Sequence, residues 1–280
     1  MNHSSNLVRL GPVANFFFAV VSLFPPCLTA QSGSAPALVP LSSVTGYTCV
    51  SGFSRTQSPA LSAWDTAWRA TALSSPSPFG LSDLQTHFAS VCGPTMPAMG
   101  SAFAVEAFGG RLYREVNVSV GASVRVSPLA SMGASLSCAS VTIAAARSIV
   151  AYRCDAGASM QLSPRSRVSA ALHNIGRSGI LHHASTIPQD FVVGYGLRLD
   201  DDLAAEIQYS VVLQRSRSLQ CSSTHRFASV LTLRIAADVA TTVLGADVAL
   251  DIGTSARIIS SVHLHPVLGM RVGGGVSWTH

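Results

Sequence analysis

Long stretches of the chain alternate strictly between apolar and polar positions. In Glu115–Ser127, Val116, Val118, Val120, Ala122, Val124 and Val126 share one face, and Asn117, Ser119, Gly121, Ser123, Arg125 and Ser127 share the other. Asp190–Asp200 sets Phe191, Val193, Tyr195, Leu197 and Leu199 against Val192, Gly194, Gly196, Arg198 and Asp200, and Leu203–Gln214 behaves alike. Successive side chains leave a strand on opposite faces, whereas a helical period of about 3.6 would mix the two sets. These segments are longer than the roughly 5–6 residues of an average strand. They match the roughly 9–11 residues that a tilted strand needs to cross a bilayer.

The same reading gives strands over Ala67–Ser75, Leu84–Cys92, Gly100–Phe108, Tyr113–Ser127, Ala130–Ala144, Ser148–Ser163, Ser166–Ile175, Asp190–Asp200, Leu203–Gln214, Arg226–Ala236, Val239–Ile252, Ala256–His265 and Met270–His280. Short turns such as Ser127-Pro128-Leu129, Ser163-Pro164-Arg165, Asp200-Asp201-Asp202 and Ala236-Ala237-Asp238 alternate with longer connections, Gly176–Gln189 and Arg215–His225. Short turns on one rim and long loops on the other belong to an up-and-down order. The expected fold is therefore all-β: a closed antiparallel up-and-down transmembrane β-barrel of about 12–14 strands, even in number. Thirteen segments are odd. The expectation is that a strand near Gly46–Val50 joins the sheet, or that Val239–Gly253 is misread.

Ahead of the strands, Met1–Arg9 is polar with one positive charge, Leu10–Leu28 is mostly apolar, and small residues follow at Thr29, Ala30, Ser32 and Ser34. That order is the order of a secretory signal, so residues 1–30 are expected to be a cleaved signal peptide. Pro12, Pro25 and Pro26 break the apolar run short of the about 20 residues a membrane-spanning helix needs. Residues 31–66 form an N-terminal segment expected to act as a partial plug or hatch, and 67–280 the barrel. Leu61, Trp64 and Trp68 fall at helical spacing after Pro59; they read as a short plug helix or as the aromatic rim of the first strand, with the rim preferred.

Composition narrows the class further. Charged residues are 11% and hydrophobic ones 48%, with a mean hydropathy of +0.39. Soluble globular proteins carry roughly 25% charge. The net charge of +5 comes from 18 arginines without a lysine, spread along the chain with no run. This excludes a disordered chain, a coiled coil and a nucleic-acid binder built on a basic tract. Six cysteines, at positions 27, 49, 92, 138, 154 and 221, show no CxxC or regular spacing, so neither a disulfide framework nor a zinc knuckle is indicated.

Several short motifs, in order, carry a resemblance. Ser58-Pro59-Ala60-Leu61-Ser62-Ala63, Phe79-Gly80-Leu81, Leu172-His173-Asn174-Ile175-Gly176 followed by Ile187-Pro188, and His265-Pro266-Val267-Leu268-Gly269 resemble landmarks of the PorV/PorQ family of outer-membrane barrels, relatives of the FadL-type transporters. Ser58 stands where that family's motif has Asn. The resemblance implies a bacterial outer-membrane protein, with a structural role or a type IX secretion role in cargo shuttling or attachment. Its partners would be outer-membrane lipid and secretion-system or surface proteins. The alternatives are a FadL-like passive channel for small hydrophobic molecules and a secreted soluble β-sandwich. The channel needs an apolar interior, and the inward sets of the three segments above are mostly Ser, Gly and charge.

Candidate chemistry is sparse. Arg125, Arg198, Glu206, Arg234, Asp247 and Asp251 fall on polar strand faces. An arginine facing lipid at mid-bilayer costs about 2–4 kcal/mol, so these residues are expected to face the lumen. His263 and His265 share a strand face and, with Asp247 or Asp251, approach a metal set; no third ligand has a fixed spacing, so polar filling of the lumen is the preferred reading. His182-His183 reads as a solvated loop. No G-x-S-x-G, P-loop or HExxH motif occurs, and the expected protein is not an enzyme and needs no cofactor.

Overall fold

The computed structural model describes residues 43–48, 50, 58–76, 80–144, 148–175, 189–212 and 216–280. Its strands are β1 (Arg69–Ser75), β2 (Thr86–Met96), β3 (Met99–Gly109), β4 (Tyr113–Ser127), β5 (Ala130–Ile143), β6 (Ile149–Ser163), β7 (Ser166–His173), β8 (Asp190–Arg198), β9 (Leu203–Val212), β10 (Ser216–Phe227), β11 (Leu231–Asp238), β12 (Val243–Ile252), β13 (Ala256–His265) and β14 (Gly269–Thr279). Each pairs antiparallel with its sequence neighbours, and β1 closes the sheet on β14 from Arg69 opposite Thr279 to Ser74 opposite Gly274. The result is a 14-stranded up-and-down barrel. Because the sheet closes on itself, the β-sandwich alternative is excluded.

Two corrections concern the chain between β9 and β12. Arg215–His225, expected as a long connection, is mostly strand β10, and its ladder with β9 runs from Ser216 opposite Val212 to His225 opposite Leu203. Its outward residues include Cys221, Ser223 and His225, so the sequence lacks the greasy stripe that marks the other strands. The turn after it falls at Ala228-Ser229-Val230, inside the expected strand Arg226–Ala236. Ala228 (φ 49°) and Ser229 (φ 61°) are both left-handed, as a tight hairpin of twisted strands requires. The expected strand Val239–Ile252 begins only at Val243, and the described residues of Gly46–Val50 lie in no strand. The missing strand was thus β10, not Gly46–Val50.

Short turns (Pro97-Ala98, Pro128-Leu129, Pro164-Arg165, Leu199–Asp202, Ala228–Val230 and Gly253–Ser255) lie on one rim, together with the start of β1 and the end of β14. There the backbones of Trp68 and His280 exchange two hydrogen bonds of 3.1 and 2.9 Å. The outer wall is largely apolar, β10 excepted: Val120, Leu136, Tyr152, Leu244, Leu264 and Trp278 are each more than half exposed. Buried positions are instead dominated by Ser, Thr and paired charge. A soluble protein would show the reverse distribution.

Candidate functional site: the barrel interior

Two pieces of the chain ahead of β1 lie inside the barrel. The first is a 3₁₀ turn at Pro59–Trp64, opened by proline, in which Pro59, Ala60, Leu61, Ser62 and Ala63 are all buried. It packs against β2–β6 near the short-turn rim. The wall meets it without side chains: a Cβ at Gly100 would strike the Ser62 carbonyl, and one at Gly133 the Pro59 carbonyl. Around these contacts Ser131 Oγ donates to the Ala60 carbonyl at 2.8 Å, Trp64 Nε1 donates to Ser131 Oγ at 2.7 Å, and the Ser62 and Ser123 hydroxyls lie 2.6 Å apart. Leu61 and Trp64 therefore point into the lumen and not into an outer rim, as the preferred reading had it. Trp68 alone of the three is on the outer wall, 40% exposed. Ser58, Pro59 and Ala60, the first motif residues, are all buried in this seat.

The second piece, Ser43–Thr48, lies against β8 and β9. Both oxygens of the Glu206 carboxylate are spent on it. Ser43 Oγ and Thr48 Oγ1 (2.6 Å) donate to Oε2, and the Thr45 backbone N–H donates to Oε1 at 3.1 Å. The Val44 N–H donates to Gln208 Oε1 at 3.0 Å. Gly194 and Gly196 leave room for the segment, since a Cβ on either would collide with Val44 or Thr45 side chains. Arginines complete the clasp. Arg198 lies over the Tyr47 ring (5.4 Å), Arg167 over both Tyr47 (4.8 Å) and Trp64 (5.2 Å), and Arg125 over Trp64 (5.8 Å). Cation–π contacts of this kind contribute on the order of 0.5–2 kcal/mol each.

The remaining expected site residues form ion pairs along the wall. Arg234 Nη1 and Asp247 Oδ2 lie 3.3 Å apart on neighbouring strands, with side chains 1% and 2% exposed. His263 Nε2 is 3.5 Å from Asp247 Oδ1. Asp251 pairs with Arg257 at 2.6 Å and with Arg226 at 3.9 Å. His265 does not join His263: its Nδ1 accepts the Val267 and Leu268 N–H groups, both at 3.1 Å. It thereby closes the turn through Pro266, Val267 and Leu268 to Gly269, whose φ of 90° suits glycine. Gly80 (φ 76°) and Leu81 lie between β1 and β2; Phe79 and His182-His183 fall outside the described residues. Among the described residues no three His, Cys, Asp or Glu side chains gather as metal ligands. Further ion pairs that the sequence did not single out link Asp155 to Arg153 (3.2 Å) and His173 (3.6 Å).

One row of the inner wall is apolar. Phe88 lies opposite Leu73, Leu73 opposite Gly275, Gly275 opposite Ile259, and Ile259 opposite Ala249. The row therefore crosses β2, β1, β14, β13 and β12 at one level. Leu73, Phe88, Ala249 and Ile259 cluster with Ala104 of β3 and with Val50. The row is one residue high. Towards the short turns the next inward row is Asp251, Arg257, Ser277, Thr71 and Ser90; towards the other rim Arg234, Asp247 and Ser261 lead to Ser75 and Thr86. On the outer face of the same strands, between β14 and β3, lies an open hollow of ≈ 380 Å³ bordered by Ala72, Ser74, His87, Ala89, Val105 and Gly274. The strands used to judge the interior polar, β4, β8 and β9, are not those that build this row. The signal in the sequence was a lapse of alternation: Ile258-Ile259 puts bulk on both faces, and Leu73 and Phe88 put it on the inner face alone.

No family model and no curated protein matches the sequence. Solved structures do. The chain is similar to the toluene transporter TbuX of Ralstonia pickettii, with a TM-score of 0.60 at 12% identity over 81% of this chain and 92% of that one. It is similar to the CymD monoaromatic hydrocarbon channel, with a TM-score of 0.58 at 12% identity over 79% and 90%. A FadL homologue of Pseudomonas aeruginosa aligns with a TM-score of 0.55 at 9% identity over 84% and 94%. At such identities the likeness is one of fold alone: a closed antiparallel β-barrel.

Proposed function

We infer that this protein sits in the bacterial outer membrane, exported by a cleaved signal within residues 1–30, and passes small hydrophobic molecules through its interior without catalysis. The apolar row on β2, β1, β14, β13 and β12 carries this reading, because it gives a hydrophobic solute a favourable surface inside an otherwise polar lumen. The channel and transporter names of the structural neighbours support it. Membrane residence rests on the largely apolar outer wall. The type IX secretion role implied by the PorV/PorQ-like motifs is the weaker reading. Ser58, Pro59 and Ala60 are accounted for by the inner seat, and His265–Gly269 by a hairpin turn. Residues 31–66 act in this account as the plug, with the clasp on Glu206 and the arginines holding it.

The test is uptake of the hydrophobic fluorophore 1-N-phenylnaphthylamine by cells with an intact lipopolysaccharide leaflet. Cells carrying the protein should take up the dye several-fold faster than cells carrying an empty vector. Equal rates, with the barrel present and heat-modifiable on a gel, refute the channel.

A further inference from the structure

Strand β10 interrupts the apolar outer wall. From its middle to its short-turn end its outward side chains are Cys221, Ser223 and His225, all half-buried. The wall gives them no polar neighbour across either flanking strand. Cys221 lies between Ile207 and Ala237, Ser223 between Ala205 and Ile235, and His225 between Leu203 and Leu233. Along the strand His225 stacks on Phe227 with ring centroids 4.1 Å apart, so the run stays within the apolar belt. Other outward polar residues are placed differently. Ser74 Oγ and His87 Nδ1 satisfy each other at 3.1 Å, and Thr95 Oγ1 and Ser101 Oγ at 2.9 Å. Ser140 and Thr142 of β5 climb to the level of Arg114, where Thr142 meets Ser148 at 3.0 Å. Ser260 stands alone between Ile258 and Val262. In hydrocarbon no water serves a polar group, and one left without a partner is costly.

We propose that this strip is the contact of a homodimer in the membrane, with the outer face of β10 packed on β10 of a second copy about a two-fold axis along the membrane normal. Three features select a second copy as the occupant. The first is depth: all copies insert alike, so the two-fold brings the strip to itself at one level in the bilayer. The second is chemistry. A two-fold contact sets the same patch against itself, and the Ser223 hydroxyl and the His225 imidazole can each donate and accept. The strip holds no acid and no arginine, so self-contact brings no like charges together. The third is shape. Ala205 and Ala237 are small beside Ser223 and Cys221, and Ile207 and Ile235, 41% and 45% exposed, stand as ridges on either side. A small, polar centre between apolar flanks lets backbones approach closely, as in contacts between membrane helices. Barrel strands tilt by about 35–45°, so the two β10 strands cross and their contact centres on Ser223. The dimer requires the outer wall to face lipid and is independent of what passes through the lumen.

The experiment reconstitutes the full chain in liposomes, with donor or acceptor dye on an added C-terminal tag, and follows energy transfer as added lipid dilutes the protein. Wild type should show transfer above the chance-proximity level, lost only on dilution. Ser223→Leu offers lipid an apolar side chain and removes the hydroxyl from both copies; it should weaken the dimer about ten-fold, since the two-fold counts each lost contact twice. Ser260→Leu makes the same exchange on β13 and should dimerise as wild type does. In a background with Cys49, Cys92, Cys138, Cys154 and Cys221 changed to serine, Ser223→Cys should cross-link two copies on mild oxidation and Ser260→Cys should not. Chance-level transfer in wild type overturns the dimer. Unchanged affinity in Ser223→Leu, or equal cross-linking through Ser260→Cys, overturns β10 as its contact. Heat-modifiable migration shows that each variant forms its barrel. Cys221→Leu replaces Ser223→Leu, with the same expected loss, if the latter does not.

Discussion

The inner wall treats the segment it encloses in two ways. On β3–β9 the wall is mostly glycine, serine and charge, with one small apolar contact where Val44 packs with Ala171 and Val192. Gly100, Gly133, Gly194 and Gly196 let backbone lie flush against backbone, and Glu206, Ser131 and three arginines fix it there. On β12–β14 and β1–β2 the wall offers one apolar row and meets a single valine. The first surface is specific to this chain's own segment, since its hydrogen bonds set donor against acceptor and its glycines admit backbone. The second is indifferent to what covers it, because apolar burial is non-directional. A channel of the proposed kind, which holds one segment and passes another molecule, uses both kinds of surface, separated in space.

The largest effect that would break this division comes from the ion pair beside the apolar row. Asp247→Ala strips a nearly unexposed Arg234 of its carboxylate, and losing one partner of a buried pair costs about 3–5 kcal/mol. The temperature of the gel-mobility shift should fall sharply, and Arg234→Leu/Asp247→Ala should recover most of it. Next is Gly100→Val. The added atoms meet the Ser62 carbonyl, overpacking costs about 1–3 kcal/mol, and the seat of Pro59–Trp64 should open; planar-bilayer recordings should show ion conductance absent from wild type.

Glu206→Gln is milder. It keeps the shape but turns one accepting oxygen into a donor facing Ser43 and Thr48 or Thr45. Bonds to a charged group contribute about 1.5–3 kcal/mol, so protease cleavage within 43–48 should accelerate while the barrel shift temperature stays near wild type. Ser62→Ala, which removes one hydroxyl bond to Ser123, should cost about 1 kcal/mol and leave conductance unchanged. If Ser62→Ala conducts as Gly100→Val does, the seat is held by hydrogen bonds and not by fit.

Most of the barrel was legible because lipid outside and polar lumen inside force strict alternation, as in Glu115–Ser127. Strand β10 was not, since Cys221, Ser223 and His225 face outward with little bulk and read as loop. The charged lumen residues were visible one by one, but their partners were not: spacing puts Arg234 and Asp247 on polar faces, and only register sets them opposite each other. The apolar row was hidden for the same reason. Phe88, Leu73, Ile259 and Ala249 are far apart in sequence and become one surface only when β1 closes on β14. The Glu206 clasp joins residues more than 150 positions apart, and no local pattern foretells it.

The proposed passage of hydrophobic solutes over the apolar row is tested most directly by making that row polar with a side chain of equal non-hydrogen atom count. Uptake of 1-N-phenylnaphthylamine should be compared in intact cells bearing wild type or Ile259→Asn, at matched levels of heat-modifiable barrel. The account predicts that Ile259→Asn falls to the rate of the empty vector; uptake at the wild-type rate would show that the solute does not travel along this row.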